Sequence, residues 1–344
     1  MRVGLVMEAD EQGHRAFFLQ ALRDLDLVQH VVVIDETGMT FEEAEHTLGS
    51  KLRGTHTNME PILKSGAVDL AIVSVIAAHA PPIVRRCLEH HLHVMVEKPA
   101  CTHPDQFAPL VALAEKQERN LIVPLARRLS PWVQEARRLV EEDTFGRIYA
   151  LRGGVIADQT RLHPSDGKYD WTFHRKLAGG GHLLWLGIHW IDLMTYITRS
   201  SVVEVQALTG IVGGAPIDVE DLALVNLKFE NGAYGSLISG YLLDIPYQLD
   251  LSLWGSDGWI RFGTADQHSL EWQTRSADSD DSVTHQITYS GAVFPNYTPW
   301  IERTLRSCTN NGEPPPITGS EALNALRVVH AAYTSAETGR TVAL

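Results

Sequence analysis

Two groups of residues in this sequence carry the means for proton chemistry. The first is Glu97-Lys98-Pro99, which closes the apolar run His93 to Val96. A lysine at the carboxyl end of a strand can hydrogen-bond a substrate hydroxyl, and burial lowers its pKa toward catalytic use. The same tripeptide also reads as a Lys-Pro loop with a Glu-Lys pair on the surface. The second group lies in the stretch from Gly179 to Asp192. Three glycines, Gly179 to Gly181, release the chain into a helix. His182, Trp185, His189 and Asp192 follow at spacings of three, four and three, which puts them on one α-helical face. His189 there can donate or accept a proton. It reads equally as a helix histidine satisfied by a neighbour in a polar interface. No metal is expected, because His182 and His189 stand about 10 Å apart along the helix axis, too far to share one ion. His90, His91 and His93 read as a helix end and a strand start.

The elements that must position these residues follow from periodicity. Up to about residue 125, short apolar runs alternate with amphipathic stretches. Val3 to Met7, Val31 to Ile34, Leu70 to Ile76, His93 to Val96 and Leu121 to Val123 read as strands. Gly13 to Arg23, Pro82 to His90 and Pro104 to Glu118 read as helices. Strand–helix alternation with continuous apolar strands predicts a doubly wound parallel sheet over residues 1–124. Ligands bind such sheets outside the carboxyl ends of the strands, where Lys98 stands. Beyond it, residues 125–344 form a second, α+β domain. Helices are predicted over Pro131 to Glu142 and Ser320 to Glu337. Between them, period-two segments predict antiparallel strands with one covered face: Arg147 to Ile156, Val202 to Ile211, Asp221 to Phe229, Ala233 to Ser239, Tyr247 to Trp254 and Thr284 to Tyr289. Glu230-Asn231-Gly232 is a hairpin turn, and the polar stretch Ala277 to Ser282 a loop.

Strand, turn and helix open the chain, and Asp35 ends the second strand. This is the context of a dinucleotide site, with Asp35 placed to accept from a ribose hydroxyl and to repel a 2′-phosphate. Asp35 is also an ordinary strand terminator. The turn itself reads Met7-Glu8-Ala9-Asp10-Glu11-Gln12-Gly13. Met7 and Ala9 carry side chains where glycines admit a pyrophosphate, and Gly13 falls one position late. Glu8, Asp10 and Glu11 crowd a helix N-terminus that attracts phosphate elsewhere, although Asp10 suits a helix cap.

The net charge of the 344 residues is -13, which argues against nucleic acid and anionic membranes as partners. Cys87, Cys101 and Cys308 lack C-x-x-C spacing, which predicts reduced thiols and a cytoplasmic setting. No run approaches transmembrane length.

Taken together, these residues resemble the Gfo/Idh/MocA family of oxidoreductases over nearly the whole chain. Val94 to Ala100 resembles its V-x-x-E-K-P segment, Arg128-Leu129-Ser130-Pro131 its R-[FL]-x-P stretch, and Phe145-Gly146-Arg147-Ile148 its entry to the second domain. Trp171, Gly179 to Gly181 and Gly187-x-His189-x-x-Asp192 resemble its most diagnostic stretch, and the tail Gly319 to Ser335 is similar too. The resemblance implies a Rossmann-type first domain and a second domain with a large, mostly antiparallel open sheet. It implies NAD or NADP as cofactor, NAD being favoured by Asp35. The substrate is a small molecule, a sugar, polyol or related hydroxyl compound, and the assembly a homodimer or homotetramer. Lys98 would polarise the reacting hydroxyl and His189 act as general acid or base. Glu97 would support the nicotinamide end and Lys98 would also touch the cofactor, with Met7, Ala9, Gly13, Asp35 and His79 along it. Arg128, Trp171, His182, Trp185 and Asp192 would shape the substrate pocket. Three signatures depart from the pattern. Trp185 stands where the family has an aspartate four residues before the catalytic histidine, with His182 one turn earlier as a candidate substitute. Val75 to Pro81, including His79, replaces its T-P-N loop, and the glycine turn is altered. Two alternatives arise from these departures: a non-catalytic relative that binds a ligand or regulates, and an enzyme whose cofactor assists a reaction with no net redox change.

Overall fold

A computed structural model describes residues 1–11, 13–157, 170–213, 215–243, 247–263, 269–275, 282–289, 297–309 and 312–344. The chain divides into two compact units: Met1–Ala126 with Pro164–Gly179 and Asn296–Asn324, and Arg127–His163 with Gly180–Pro295 and Ala325–Leu344. The first change of unit thus falls close to the expected boundary at 124/125, but the chain returns twice to the first unit. Periodicity could not show this. It reports which face a helix buries, not which sheet lies beneath it.

The first unit holds β1 (Arg2–Met7), α1 (Arg15–Asp24), β2 (His30–Ile34), α2 (Phe41–Leu48), β3 (Leu52–His56), α3 (Glu60–Ser65), β4 (Leu70–Ser74), α4 (Ala80–Glu89), β5 (His93–Val96), α5 (Pro104–Lys116) and β6 (Leu121–Ile122). Its strands pair in parallel in the order β3-β2-β1-β4-β5-β6. All five residues of β4 are buried, as expected of a strand covered on both faces. After β1 the chain winds outward through β2 and β3, then crosses to the other side of β1 to form β4. That reversal opens a crevice at the carboxyl ends of β1 and β4. The edge strand β3, with α2 and α3 beside it, is not predicted from the sequence, because its residues Leu52 to His56 carry a single large apolar side chain.

The second unit holds α6 (Pro131–Glu141), β7 (Ile148–Ile156), α7 (Ile188–Thr198), β8 (Val202–Gly210), β9 (Leu222–Phe229), β10 (Tyr234–Gly240), β11 (Gln248–Gly255), β12 (Gly258–Phe262), β13 (Ser269–Arg275), β14 (Ser282–Thr288) and the short β15 (Val342–Ala343). They form a nine-stranded sheet, β14-β13-β12-β11-β7-β10-β9-β8-β15, antiparallel except where β10 pairs with β7. Strand β9 alternates buried and exposed positions along most of its length. Helix α7 lies directly on the covered face. A Cβ on Gly153 of β7 would stand 2.6 Å from both Trp190 and Met194, so only glycine admits the helix this close. The other face leaves Tyr149, Leu208, Leu224, Tyr234 and Ile238 exposed. The loop expected over Ala277 to Ser282 lies outside the described residues except for Ser282, which starts β14.

Two further helices are α8 (Tyr297–Ser307) and α9 (Gly319–Thr338). Helix α8 belongs to the first unit, where the Tyr297 ring meets Phe18 of α1 edge-on at 5.5 Å.

The helix carrying His189 is anchored by a buried acid. The Glu220 carboxylate, in the loop before β9, accepts from the backbone N–H groups of Gly181 (2.8 Å) and Leu183 (3.0 Å) and from the Tyr333 hydroxyl (2.9 Å). A Cβ on Gly181 would stand 1.9 Å from the Glu220 carbonyl oxygen, which explains a glycine there. Burial pushes the Glu220 carboxyl up, against the lowering effect of these donors. Glu220→Ala strands three buried donors at once and is expected to cost about 3–5 kcal/mol of stability. Glu220→Gln keeps an acceptor and should lose less than half of that in chemical denaturation. Equal losses would show that the charge, not the hydrogen bonds, dominates.

Candidate functional site

In the first unit, β5 delivers Glu97 and Lys98 to the carboxyl edge of the sheet, both only 2% exposed. They are therefore not the surface pair that the tripeptide also allowed. His14 Nδ1 donates to Glu97 Oε1 at 2.8 Å, and the Tyr297 hydroxyl meets His14 Nε2 at 3.1 Å. Glu97 Oε2 is buried and has no hydrogen-bond partner among the described residues. Glu11, at the end of the first turn, faces the same cluster. Burial pushes its carboxyl up and the charge of Glu97 pushes it further, while Ser74, Gly13 and His14 pull the other way.

The turn after β1 is closed on itself. Met7 ends β1 and is buried. Arg15 Nη1 donates to the carbonyl oxygens of Glu8 (2.9 Å), Ala9 (3.2 Å) and Glu11 (2.9 Å), and its Nε donates to Glu43. Glu8 accepts from Ile76 N–H at 3.0 Å and pairs with His79 Nδ1 at 2.7 Å. Glu11 accepts from Gly13 N–H and from Ser74 Oγ, each at 2.7 Å. Asp10 does not cap α1. The helix starts at Arg15, and its N-cap residue His14 makes no side-chain cap. Asp35 stands at the end of β2 as expected, but its carboxylate accepts from both N–H and hydroxyl of Thr37 and of Thr40. Burial would raise this carboxyl, and those four donors outweigh it and hold it below the usual carboxylate range. A carboxylate offers about four accepting directions, so a ribose hydroxyl would have to displace one of these bonds. The buried Glu97 Oε2, next to Lys98 in the chain, leaves an acceptor that an amide donor of a dinucleotide would satisfy. Around the turn after β1, the Gly13 and Ile76 N–H groups, the Ser74 hydroxyl and the His79 ring are each held by a glutamate.

In the second unit the stretch from His182 is not one continuous α-helix. Leu183–Gly187 form a single π turn ahead of α7. The extra residue in that turn rotates the rest of the helix by about 100°. His182 therefore does not share the His189 face, as its spacing alone predicts. The His182 ring is fully buried, with Nδ1 at 2.6 Å from Ser239 Oγ and Tyr241 edge-on at 4.4 Å. Trp185 and His189 are buried as well. Asp192 accepts a two-pronged pair from Arg128 (Nε at 2.9 Å, Nη2 at 2.6 Å), tying the turn before α6 to α7. That pair is almost wholly buried.

Trp171 sits buried in a short 3-10 turn, Asp170–Phe173, assigned to the first unit. Residues 158–169 lie outside the described residues. Among the described residues no group of three His, Cys, Asp or Glu could hold a metal ion. Burial pushes the Cys87 and Cys101 thiols up to about 12, which removes them as nucleophiles at neutral pH. No helix among the described residues is long and apolar enough to cross a membrane. His14, Ser74, Glu220, Ser239 and Tyr333 were missed by sequence reading. Each is a lone polar residue whose partner lies far along the chain, a relation that spacing does not encode.

Residues 12–125 match the oxidoreductase family with the NAD-binding Rossmann fold, and residues 133–261 match the GFO/IDH/MocA C-terminal domain. The myo-inositol 2-dehydrogenase of Thermotoga maritima is 25% identical over 293 residues, 82% of each chain. The levoglucosan dehydrogenase of Pseudarthrobacter phenanthrenivorans is 29% identical over 230 residues, 59% of this chain and 57% of that one. A solved levoglucosan dehydrogenase, in complex with NADH and levoglucosan, superposes with a TM-score of 0.86 at 17% identity, covering 100% of this chain and 99% of that chain. The parallel sheet with its switch point, the Glu97-Lys98 end of β5 and these matches agree: the chain belongs to the Gfo/Idh/MocA family of oxidoreductases, with an NAD-binding Rossmann domain as its N-terminal part.

Proposed function

We propose that this protein is an NAD-dependent dehydrogenase that oxidises a CH–OH group of a sugar or polyol. The observation that carries the reading is the buried Glu97-Lys98 pair at the carboxyl end of β5, with Glu97 Oε2 lacking a partner among the described residues. Relatives named for inositol and levoglucosan support the substrate class. NAD accepts the hydride. Glu97 receives the nicotinamide amide, and Met7, Ala9, Gly13, Asp35 and His79 border the rest of the cofactor. Lys98 hydrogen-bonds the reacting hydroxyl and lowers its pKa, and His189 takes its proton. Asp192 and Arg128 hold the helix on which His189 rides, three residues away. Trp171 and Trp185 supply apolar walls, and His182 is held on Ser239. The apolar row Leu208, Leu224, Tyr234 and Ile238 on the open sheet face suits pairing with a second copy as a homodimer or homotetramer. Three buried cysteines without disulfides fit a reducing cytoplasm.

Oxidation of a panel of sugars and polyols, followed as NADH formation, tests the activity. Lys98→Ala and His189→Ala are each expected to lower kcat by roughly 10²–10⁴-fold while leaving the NADH dissociation constant within about threefold. No NADH formation with any panel member, or normal turnover by Lys98→Ala, would overturn the reading. For the assembly, sedimentation velocity should give a dimer or larger, and Leu224→Glu should shift it toward monomer. A monomeric wild-type protein would remove the sheet-face interface.

A further inference from the structure

We propose that Glu8 and Glu11 occupy, within the free protein, the donors that a dinucleotide's pyrophosphate needs, so that cofactor binding displaces them and takes up protons. This rests on the NAD-dependent reading. Four donors converge where β1 and β4 end: the N–H groups of Gly13 and Ile76, the Ser74 hydroxyl and the His79 ring. They lie at the crevice of the parallel sheet, where a phosphate binds in this architecture. All four are held by the two glutamates. The four oxygens of two carboxylates stand in for those of a pyrophosphate. Arg15 keeps them there by fixing the carbonyl groups of residues 8, 9 and 11. The unpartnered, buried Glu97 Oε2 beside Glu11 marks the cluster as a place that still needs a donor from a ligand.

A phosphate and an ionised carboxylate cannot share one donor set, because like charges in a partly dry crevice repel strongly. Displacement therefore favours the protonated form of Glu11. The groups facing Glu11 are Glu97 from β5, His14 from the start of α1, and Ser74 from β4. Those facing Glu8 are His79 at the start of α4 and the Ile76 N–H. Burial and the Glu97 charge already push the Glu11 carboxyl up, and a neighbouring pyrophosphate pushes it in the same direction. The complex then binds more protons than the free protein. Affinity must fall as pH rises through this titration.

Titration of the full chain with NADH, by fluorescence from about pH 5.5 to about pH 8.5, tests this. The wild-type dissociation constant is expected to rise about tenfold across the range. Glu8→Gln and Glu11→Gln, which keep an amide oxygen for the same donors, should each bind NADH about tenfold more tightly at the alkaline end, and the double variant should show a flat profile. A wild-type constant that does not change with pH, or a slope that survives in the double variant, would overturn the proposal and leave the NAD-dependent reading intact. Failure of wild-type and variants alike to bind NADH at millimolar concentration would overturn both. Binding by the variants alone would support both.

Discussion

A carboxylate taken out of water has to be met by donors, and much of this structure is arranged around that requirement. Glu220, Glu11 and Asp35 are all nearly inaccessible to solvent. Each gathers one or two backbone N–H groups together with side-chain hydroxyls at a place where the chain changes direction. Glu220 binds the start of the segment that carries His189. Asp35 closes the turn after β2. Glu11, with Glu8, closes the turn after β1. In each case the acid is not an ornament on a finished loop. Without it, two or more buried donors would be orphaned, and the loop would have to take another path.

This constraint connects the scaffold to the chemistry. The general-base role proposed for His189 requires a position fixed to a fraction of an ångström. The His189 segment reaches that condition from two ends. Glu220 holds its start through Gly181 and Leu183, and Arg128 grips Asp192 further along. Between them lies the π turn, a geometry costlier than an ordinary α turn and frequent at functional sites. It survives here because both ends are pinned. On the parallel sheet, Lys98 gains the same precision from its strand: β5 is buried, and its neighbours β4 and β6 fix its register.

Much of this was legible in the sequence, and the illegible parts share a physical cause. Parallel strands such as β4 read clearly because burial on both faces makes them continuously apolar. The hairpin at residues 230–232 read clearly because Gly232 supplies the positive φ that the turn demands. Lys98 was visible just beyond the end of such a strand, and His189 in the helical segment that follows the triple glycine. The edge strand β3 and the short strands β12 and β13 were not, since few residues in each face the core. Nor was the π turn. Leu183 to Gly187 have the composition of any buried helix, and the extra residue in the turn leaves no trace in spacing. Asp35 was found at its place, but its bonds from Thr37 and Thr40 were not, because such local turn contacts leave no periodic signal.

The departure of the first turn from a glycine-rich loop is one change seen from several sides. Met7 and Ala9 carry side chains where a glycine-rich loop brings its backbone close to a pyrophosphate. Arg15 then collects the carbonyl groups of the turn, and α1 begins only at Arg15. That rearrangement by itself would leave the Ile76 N–H, the Gly13 N–H and the Ser74 hydroxyl facing a crevice with no acceptor. Glu8 and Glu11 supply it. The acids are thus the counterpart of the missing glycines, and neither change is stable without the other. A turn with glycines restored but both glutamates kept would crowd two charges against whatever phosphate entered. A turn with the glutamates removed but Met7 and Ala9 kept would leave the donors bare in the free protein. The loop as it stands is satisfied in the free state, and the displacement proposed for Glu8 and Glu11 is what would open its donors to a phosphate.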